Sequence, residues 1–418
     1  MHRFTYKHNR LYCENVSMEK IANSMGTPFY LYSYQTLIDH YQKIEKAFQG
    51  VDPLICFSMK ANSNLAVLKA LLSKGAGLDI VSGGELYKAL KIGCPTKKIV
   101  YASVGKRPDE IREAIKHNIL LFNVESEPEL SMINTIARTL GKRVSVALRL
   151  NPDVAAKTHK YITTGKSENK FGLDFSMATS IFKNRGKYLN VDISGVHIHI
   201  GSQITESGPF VKAIRKALEF VDSLSRPPKY FNIGGGLGIV YSKEKPQTAA
   251  EFAGKVLPYL KGRPFKLILE PGRFVAGNSG VLVTRIVYIK KASSGKKFAI
   301  VDAGMNDLPR PSLYNAYHEI LPIINKNRRI SKGKKYDIVG PICESGDFIA
   351  KDRVLPELKE NDLLAVMGTG AYGFTMASNY NSRPRIREIM VAKGKVYVVK
   401  EAETYKDLVR GEKVPRGL

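Results

Sequence analysis

Leu54-Ile55-Cys56-Phe57-Ser58-Met59-Lys60-Ala61-Asn62 is the stretch on which the reading of this chain turns. A short apolar, β-rich run ends in a lysine, and an amphipathic stretch over residues 65–72 follows at helical spacing. The same unit returns down the chain. Apolar runs recur at residues 78–81, 99–101, 120–124, 144–150, 193–200, 230–233 and 265–269, with helical segments such as 210–218 between them. Strands alternating with helices pair in parallel, and eight such units are the number that closes a (β/α)₈ barrel. An open doubly wound sheet is the alternative that the same alternation allows. The expected fold is an N-terminal (β/α)₈ TIM-like barrel over residues 31–274.

Beyond Arg273 the character changes. Residues 281–290, 297–301, 336–339, 363–367 and 396–400 read as strands separated by Gly, Pro and Asn turns, with few helical stretches. They predict a second, mainly antiparallel β domain built from residues 1–30 and 275–418. A chain of 418 residues is long enough for both cores.

Composition narrows the setting. No apolar run approaches the roughly 18 residues of a membrane-spanning helix, and Met1-His2-Arg3-Phe4-Thr5-Tyr6-Lys7 offers no secretory signal. Cys13, Cys56, Cys94 and Cys343 are scattered without paired spacing, which points to a reduced, cytoplasmic protein. The formal charge of +27 raises nucleic-acid binding, with residues 326–335 as the candidate patch. No aromatic residues interleave there, so a solvated lysine-rich loop is the plainer reading. A positive field would also gather anionic substrate or cofactor.

Reactive groups of a β/α barrel sit at the C-terminal ends of its strands, and polar residues here follow that rule. Lys60-Ala61-Asn62 follows the first run, Asp79 and Ser82-Gly83-Gly84-Glu85 mark the second, and Arg149 and Asn151 end the fifth. His199-Ile200-Gly201-Ser202, Gly234-Gly235-Gly236 and Glu270-Pro271-Gly272-Arg273 close the last three. One such placement means little; six converging on one rim define a site. A lysine at the end of an apolar strand is partly desolvated, which frees its amine to attack a carbonyl. The glycine cluster lets backbone N–H groups approach an anion, although a plain tight turn uses the same residues. His197 and His199 lie two apart on one strand face. Further ligands at metal spacing are missing, so no metal site is expected; His199, nearer the strand end, suits stacking on a planar cofactor. Glu270 can keep a pyridine ring cationic and so strengthen it as an electron sink.

These motifs resemble the fold-type-III pyridoxal-phosphate-dependent decarboxylases. Phe57-Ser58-Met59-Lys60-Ala61-Asn62, residues 79–86, His197-Ile198-His199-Ile200-Gly201-Ser202-Gln203 and Glu270-Pro271-Gly272-Arg273 carry the resemblance. In the C-terminal half, residues 302–314, Gly340-Pro341-Ile342-Cys343-Glu344-Ser345-Gly346-Asp347 and Gly370-Ala371-Tyr372-Gly373 are similar to the diaminopimelate decarboxylase branch. The likeness runs over about residues 27–384. It implies an alanine-racemase-like pairing of barrel and β domain, and pyridoxal 5'-phosphate held by Lys60 as a Schiff base. Asp79, His199, Ser202, Gly235, Glu270, Gly272, Arg273 and Tyr372 would contact the cofactor. Arg273, Arg310, Tyr314, Glu344 and Tyr372 would bind substrate, guanidinium suiting the distal carboxylate, and Cys343 would return a proton to carbon. A homodimer with shared sites is implied, because the family inserts the segment around Cys343 into its partner's barrel. The implied reaction is conversion of meso-2,6-diaminopimelate to L-lysine and carbon dioxide. Ornithine, arginine or carboxynorspermidine decarboxylation is the alternative, disfavoured by Arg310 and Tyr314. A non-catalytic pyridoxal-phosphate carrier would lack the β domain, and a racemase would want a tyrosine at Cys343. Two departures from the family pattern stand out: Phe57-Ser58-Met59 before the lysine, and Pro309 at the turn that presents Arg310.

Overall fold

The computed structural model describes residues 2–154, 170–325 and 333–418, and the chain divides into two compact units. Ile38–Val275 forms one; residues up to Leu37 together with Ala276–Leu418 form the other.

The first unit is a closed barrel of eight parallel strands. In chain order they are β1 (Leu54–Ser58), β2 (Gly77–Ile80), β3 (Ile99–Tyr101), β4 (Leu121–Val124), β5 (Val144–Leu150), β6 (Val191–Ile198), β7 (Tyr230–Asn232) and β8 (Lys266–Leu269). Strand β8 pairs with β1 through Ile268↔Leu54 and Leu269↔Ile55, which shuts the ring. The runs are nearly continuous in apolar residues because a parallel barrel wrapped in helices buries both faces of each strand; β2 to β4 have no exposed residue. Helix starts are fixed locally. Asn64 accepts from Ala66 N, Ser82 from Glu85 N and Ser126 from Glu129 N, each capping the helix that follows a strand.

Inside the barrel an apolar layer holds Cys56, Val100, Leu121, Ala147 and Ile268, with Tyr230 packed against it. Side chains two residues further along a strand face the same way. Two steps on from Cys56, Leu121, Ala147, Tyr230 and Ile268 stand Ser58, Asn123, Arg149, Asn232 and Glu270. The apolar floor therefore carries a polar layer directly above it, at the strands' C-terminal ends. All five of those polar residues are buried.

The second unit is built on the long strand Gly280–Lys291, which pairs antiparallel with Phe29–Ser33, Lys297–Val301 and Leu363–Val366. Phe29–Ser33 pairs in parallel with Arg387–Ala392, and Lys297–Val301 with Lys334–Val339, so the sheet is mixed with antiparallel pairs predominating. Because Phe29–Ser33 sits inside this sheet, the first boundary falls after Leu37 rather than after residue 30. Phe29, Leu31, Val281, Val283, Ala365, Ile389 and Val391 share its core with Leu11 and Met18 from the N-terminal hairpin and helix. Residues 326–332 of the basic stretch lie outside the described residues; Lys334 is bonded to Glu357, and Lys335 lies 3.6 Å from Asp352. No described helix is long and apolar enough to cross a membrane.

Candidate active site

Glu270, one residue past β8, is the centre of the barrel's polar layer. Its Oε1 accepts from Asn123 Nδ2 at 2.9 Å and from Asn232 Nδ2 at 2.6 Å, and its Oε2 lies 3.3 Å from His197 Nε2. Burial opposes ionisation of this carboxyl. His197, the Asn232 hydrogen bond and the Lys60 charge outweigh it and hold Glu270 well below the usual carboxylate range. Asp79, wholly buried in β2, goes the other way. Burial first, then the Glu270 charge, pushes it up to about 8, against the pull of Lys60 and of Ser58, whose Oγ donates to Oδ2 at 2.5 Å. Two carboxyls in one pocket are thus driven apart, one kept charged and the other protonated at neutral pH.

Lys60 stands on the turn after β1, its side chain 39% exposed, with Nζ 3.9 Å from Asp79 Oδ2. The turn is pinned by Met59 N donating to the Asp79 carbonyl and Ala61 N to that of Ser58, at 2.9 and 3.1 Å. Strand β6 ends at Ile198, so His199 lies just beyond the ladder, where its Nδ1 accepts from Gly235 N at 3.3 Å. Burial, followed by the charges of Lys60 and Arg149, holds this imidazole neutral, well below its ordinary value. His197 lies deeper, its Nε2 facing Glu270 Oε2 at 3.3 Å and its Nδ1 without a hydrogen-bond partner among the described residues. The end of the strand thus separates His199, the histidine expected nearer the rim, from His197.

Gly234-Gly235-Gly236 passes so close to its neighbours that side chains have no room. A Cβ on Gly235 would stand 2.0 Å from the Glu270 carbonyl, and one on Gly236, at φ +118°, 2.5 Å from that of Gly201. Arg273, nearly buried, donates from Nε and Nη2 to Ser202 Oγ, both at 3.2 Å, and from Nη1 to Tyr241 Oη at 2.7 Å. The barrel therefore brings Lys60, Asp79, His199, Ser202, Gly235, Glu270, Gly272 and Arg273 to one end.

The sequence reading does not include Asn123, Asn232 or two acid–base pairs, Arg149–Glu125 and Lys106–Glu129, among the site residues. Arg149 Nη1 bonds Glu125 Oε1 at 2.8 Å, and the fully buried Lys106 Nζ donates to Glu129 Oε1 at 2.6 Å and to the Asn123 carbonyl at 2.8 Å. Their signal was the two-residue phase from an inward apolar residue to a polar one, in Leu121/Asn123 and Tyr230/Asn232.

The remaining expected residues belong to the β unit. Pro309 adopts helical angles (φ −73°, ψ −13°) and opens the short helix Arg310–Tyr314, so it continues the turn that presents Arg310 rather than distorting it. Arg310 is buried, with Nη1 2.8 Å from His318 Nε2. The loop holding Cys343 and Glu344 is fixed through its backbone. Buried Asp347 accepts from Met305 N at 2.7 Å and Ile342 N at 2.6 Å, and Ser312 Oγ donates to the Gly346 carbonyl at 2.6 Å. Cys343 and Glu344 are exposed, and Glu344 accepts from Tyr380 Oη at 2.8 Å. Tyr372 is half-buried on a left-handed backbone (φ +57°), a conformation that a bulky residue adopts only when its surroundings enforce it.

A lysine, a charged buried acid and a glycine cradle at the C-terminal end of a β/α barrel suit an enzyme that holds a phosphorylated aromatic aldehyde. Residues 34–277 match the family described as pyridoxal-dependent decarboxylase, pyridoxal binding domain, and the chain belongs to that family. Its relatives narrow the branch to the diaminopimelate decarboxylases. The diaminopimelate decarboxylase of Aquifex aeolicus is 46% identical over 411 residues, 97% of this chain and 96% of that one. Among solved structures, the Helicobacter pylori diaminopimelate decarboxylase complexed with L-lysine matches at TM-score 0.90 and 41% identity, covering 94% of this chain and 98% of the other. That of M. jannaschii with L-lysine matches at 0.92 and 38%, covering 99% and 98%.

Proposed function

We propose that this chain removes one carboxylate of meso-2,6-diaminopimelate to give L-lysine and carbon dioxide, the last step of lysine biosynthesis, with pyridoxal 5'-phosphate as cofactor. The observation that carries the reading is Glu270, buried yet held in its charged form by Asn123, Asn232 and His197 at the end of the barrel that bears Lys60.

Two features fit that cofactor. Gly235 and Gly236 have no room for a Cβ against the Glu270 and Gly201 carbonyls, and a loop of bare backbone suits close approach of a phosphate to N–H groups. Asp79 Oδ1 and Asn123 Oδ1 are buried without a hydrogen-bond partner among the described residues, which buried polar atoms rarely tolerate. When bound, the cofactor supplies an electron sink for the bond that breaks.

The chain's own groups do the rest. Lys60 Nζ would hold the cofactor's aldehyde carbon, and Gly235, Gly272, Arg273 and Ser202 would hold its phosphate. Glu270 would keep a proton on the ring nitrogen, Asp79 would complete the acid pair beside Lys60, and neutral His199 would stack on the ring without competing for that proton. Arg273, Arg310 and Tyr314 receive the distal amino-acid end of the substrate, guanidinium matching its carboxylate. Glu344 takes the distal ammonium, Tyr372 contacts both cofactor and substrate, and Cys343 Sγ delivers a proton to the carbon that loses its carboxylate. A homodimer supplies the Cys343 loop of one chain to the barrel of the other; a loop with ordered backbone and solvent-facing side chains supports this. Buried, unpaired Cys13, Cys56 and Cys94 suit a reducing cytoplasm.

Carbon dioxide release from diaminopimelate, ornithine, arginine and lysine, measured with and without added cofactor, tests the reading. Diaminopimelate should be turned over fastest and only with cofactor; faster release from ornithine or arginine would sink the substrate assignment.

A further inference from the structure

Arg310 and His318 form a buried pair in the β unit. Arg310 Nη1 lies 2.8 Å from His318 Nε2, and on the far side of the ring Nδ1 lies 2.8 Å from the Met367 carbonyl oxygen. His318 has no exposed surface. Chemistry fixes the proton. A carbonyl oxygen only accepts, so Nδ1 carries the hydrogen; a guanidinium only donates, so Nε2 is bare. The ring is neutral, in one tautomer, and pulls on one N–H of Arg310.

The ring's own position is set by the sheet. Met367 N donates to the Glu319 carbonyl at 2.8 Å, and the strands on either side of these residues pair through Ile320↔Val366. His318 is thus anchored to the backbone at one nitrogen and to Arg310 at the other. Arginine has a long side chain with several rotatable bonds, and a fixed acceptor selects one of its orientations.

We propose that His318 is a positioning residue for the substrate's distal carboxylate, acting by holding the Arg310 guanidinium in its binding orientation. The proposal rests on the reading of Arg310 as the ligand of that carboxylate. It extends specificity one layer outward, from the cation that touches substrate to the imidazole that aims it.

Steady-state kinetics of the holoenzyme with diaminopimelate, and inhibition by L-lysine and by cadaverine, provide the test. L-Lysine keeps the distal carboxylate and cadaverine lacks it. His318→Leu should raise KM about tenfold, the usual scale for losing a hydrogen bond to a charged group, and weaken L-lysine inhibition alike. Cadaverine inhibition and kcat should stay within about twofold, a split that general damage to the fold would not produce. His318→Gln, whose amide offers both a donor and an acceptor, should recover most of the loss. Equal weakening of both inhibitors, or a fall in kcat at constant KM, would overturn the proposal. So would a normal KM in His318→Leu alongside a raised KM in Arg310→Ala, whereas a normal KM in Arg310→Ala would remove the reading of Arg310 itself. If His318→Leu does not fold, a crystal structure of the wild-type enzyme with L-lysine decides. The Arg310–His318 bond retained beneath a bound carboxylate supports the proposal, and a guanidinium turned away from His318 ends it.

Discussion

Glu270 in the barrel and Glu344 in the β unit are both acids at the centre of a proposed site, and their surroundings are opposite. Glu270 is buried and held by two asparagine amides, with His197 close by. Glu344 stands in solvent on a loop whose backbone is ordered, and it accepts from Tyr380. The barrel fixes charge and geometry with its own side chains. Around Cys343 and Glu344 the β unit fixes the path of the backbone and leaves both side chains exposed. Electrostatic preorganisation is therefore complete in one region and deferred in the other.

The sharpest way to break this contrast is at Lys60. Lys60→Ala should lower turnover by at least about a thousandfold, the scale of losing a group that acts directly in the chemistry. Borohydride treatment with pyridoxal phosphate, followed by peptide mapping, should label the wild-type peptide carrying Lys60 and nothing in the variant. A label elsewhere would move the reactive centre out of the barrel end.

Next in size is a substitution that adds one methyl group. Gly235→Ala would place Cβ 2.0 Å from the Glu270 carbonyl, so backbone must shift in the region that holds Glu270. A loss of about 3 kcal/mol or more is expected, in the range of severe overpacking. Ser345→Ala, on the exposed loop beside Glu344, should stay within about 0.5 kcal/mol. Urea unfolding of the two variants measures the difference directly, and similar losses would mean that the two regions are equally constrained.

Cys343→Ser tests the deferred side. The thiol is exposed, so stability should be unchanged within about 0.5 kcal/mol, while kcat falls by roughly 10²-fold, the middle of the range for a positioned acid. An unchanged kcat would take the proton delivery away from Cys343.

How much of this was legible before the structure follows from the same contrast. The eight barrel strands could be read because burial on both faces makes each a mostly apolar run, and the rim residues because polar side chains follow the run's end. Strands such as Phe4–Lys7, Arg10–Cys13 and Phe348–Leu355 escaped notice; exposed, charged positions interrupt their pattern. Asn123 and Asn232 lie inside the runs 120–124 and 230–233, and a rule that looks for polar residues after a strand's end passes over those within it. His318 was invisible for another reason: its partners are set by the pairing of Ile320 with Val366, a register that no local pattern encodes.

The smallest expected effect is also the one that most directly reads the barrel's internal electrostatics. Asp79, ordinarily near 3.8, is pushed up to about 8 by burial and then by the charge on Glu270. Between those values the folded chain keeps a proton that the unfolded chain has lost, so stability falls as pH rises through this window and the loss is complete above about 8. Glu270 has the opposite sign. Its depressed value adds stability that is present above about 4.5 and disappears only in strong acid, so it contributes no slope near neutrality. In cofactor-free enzyme, Asp79→Asn keeps the shape and removes the titration, and it should be more stable than wild type at pH 8 by about 1–3 kcal/mol. At pH 5 the gap should be only about a third as large, because little more than one pH unit of the window above 3.8 has then been crossed. Asp307 in the β unit, raised to about 7 mainly by burial, keeps part of the slope in both proteins, so flattening should be partial. Urea midpoints at pH 5, 6, 7 and 8 are sufficient to decide. Parallel slopes would show that Asp79 is ionised in the fold, and the division of charge between the two buried carboxyls would have to be redrawn.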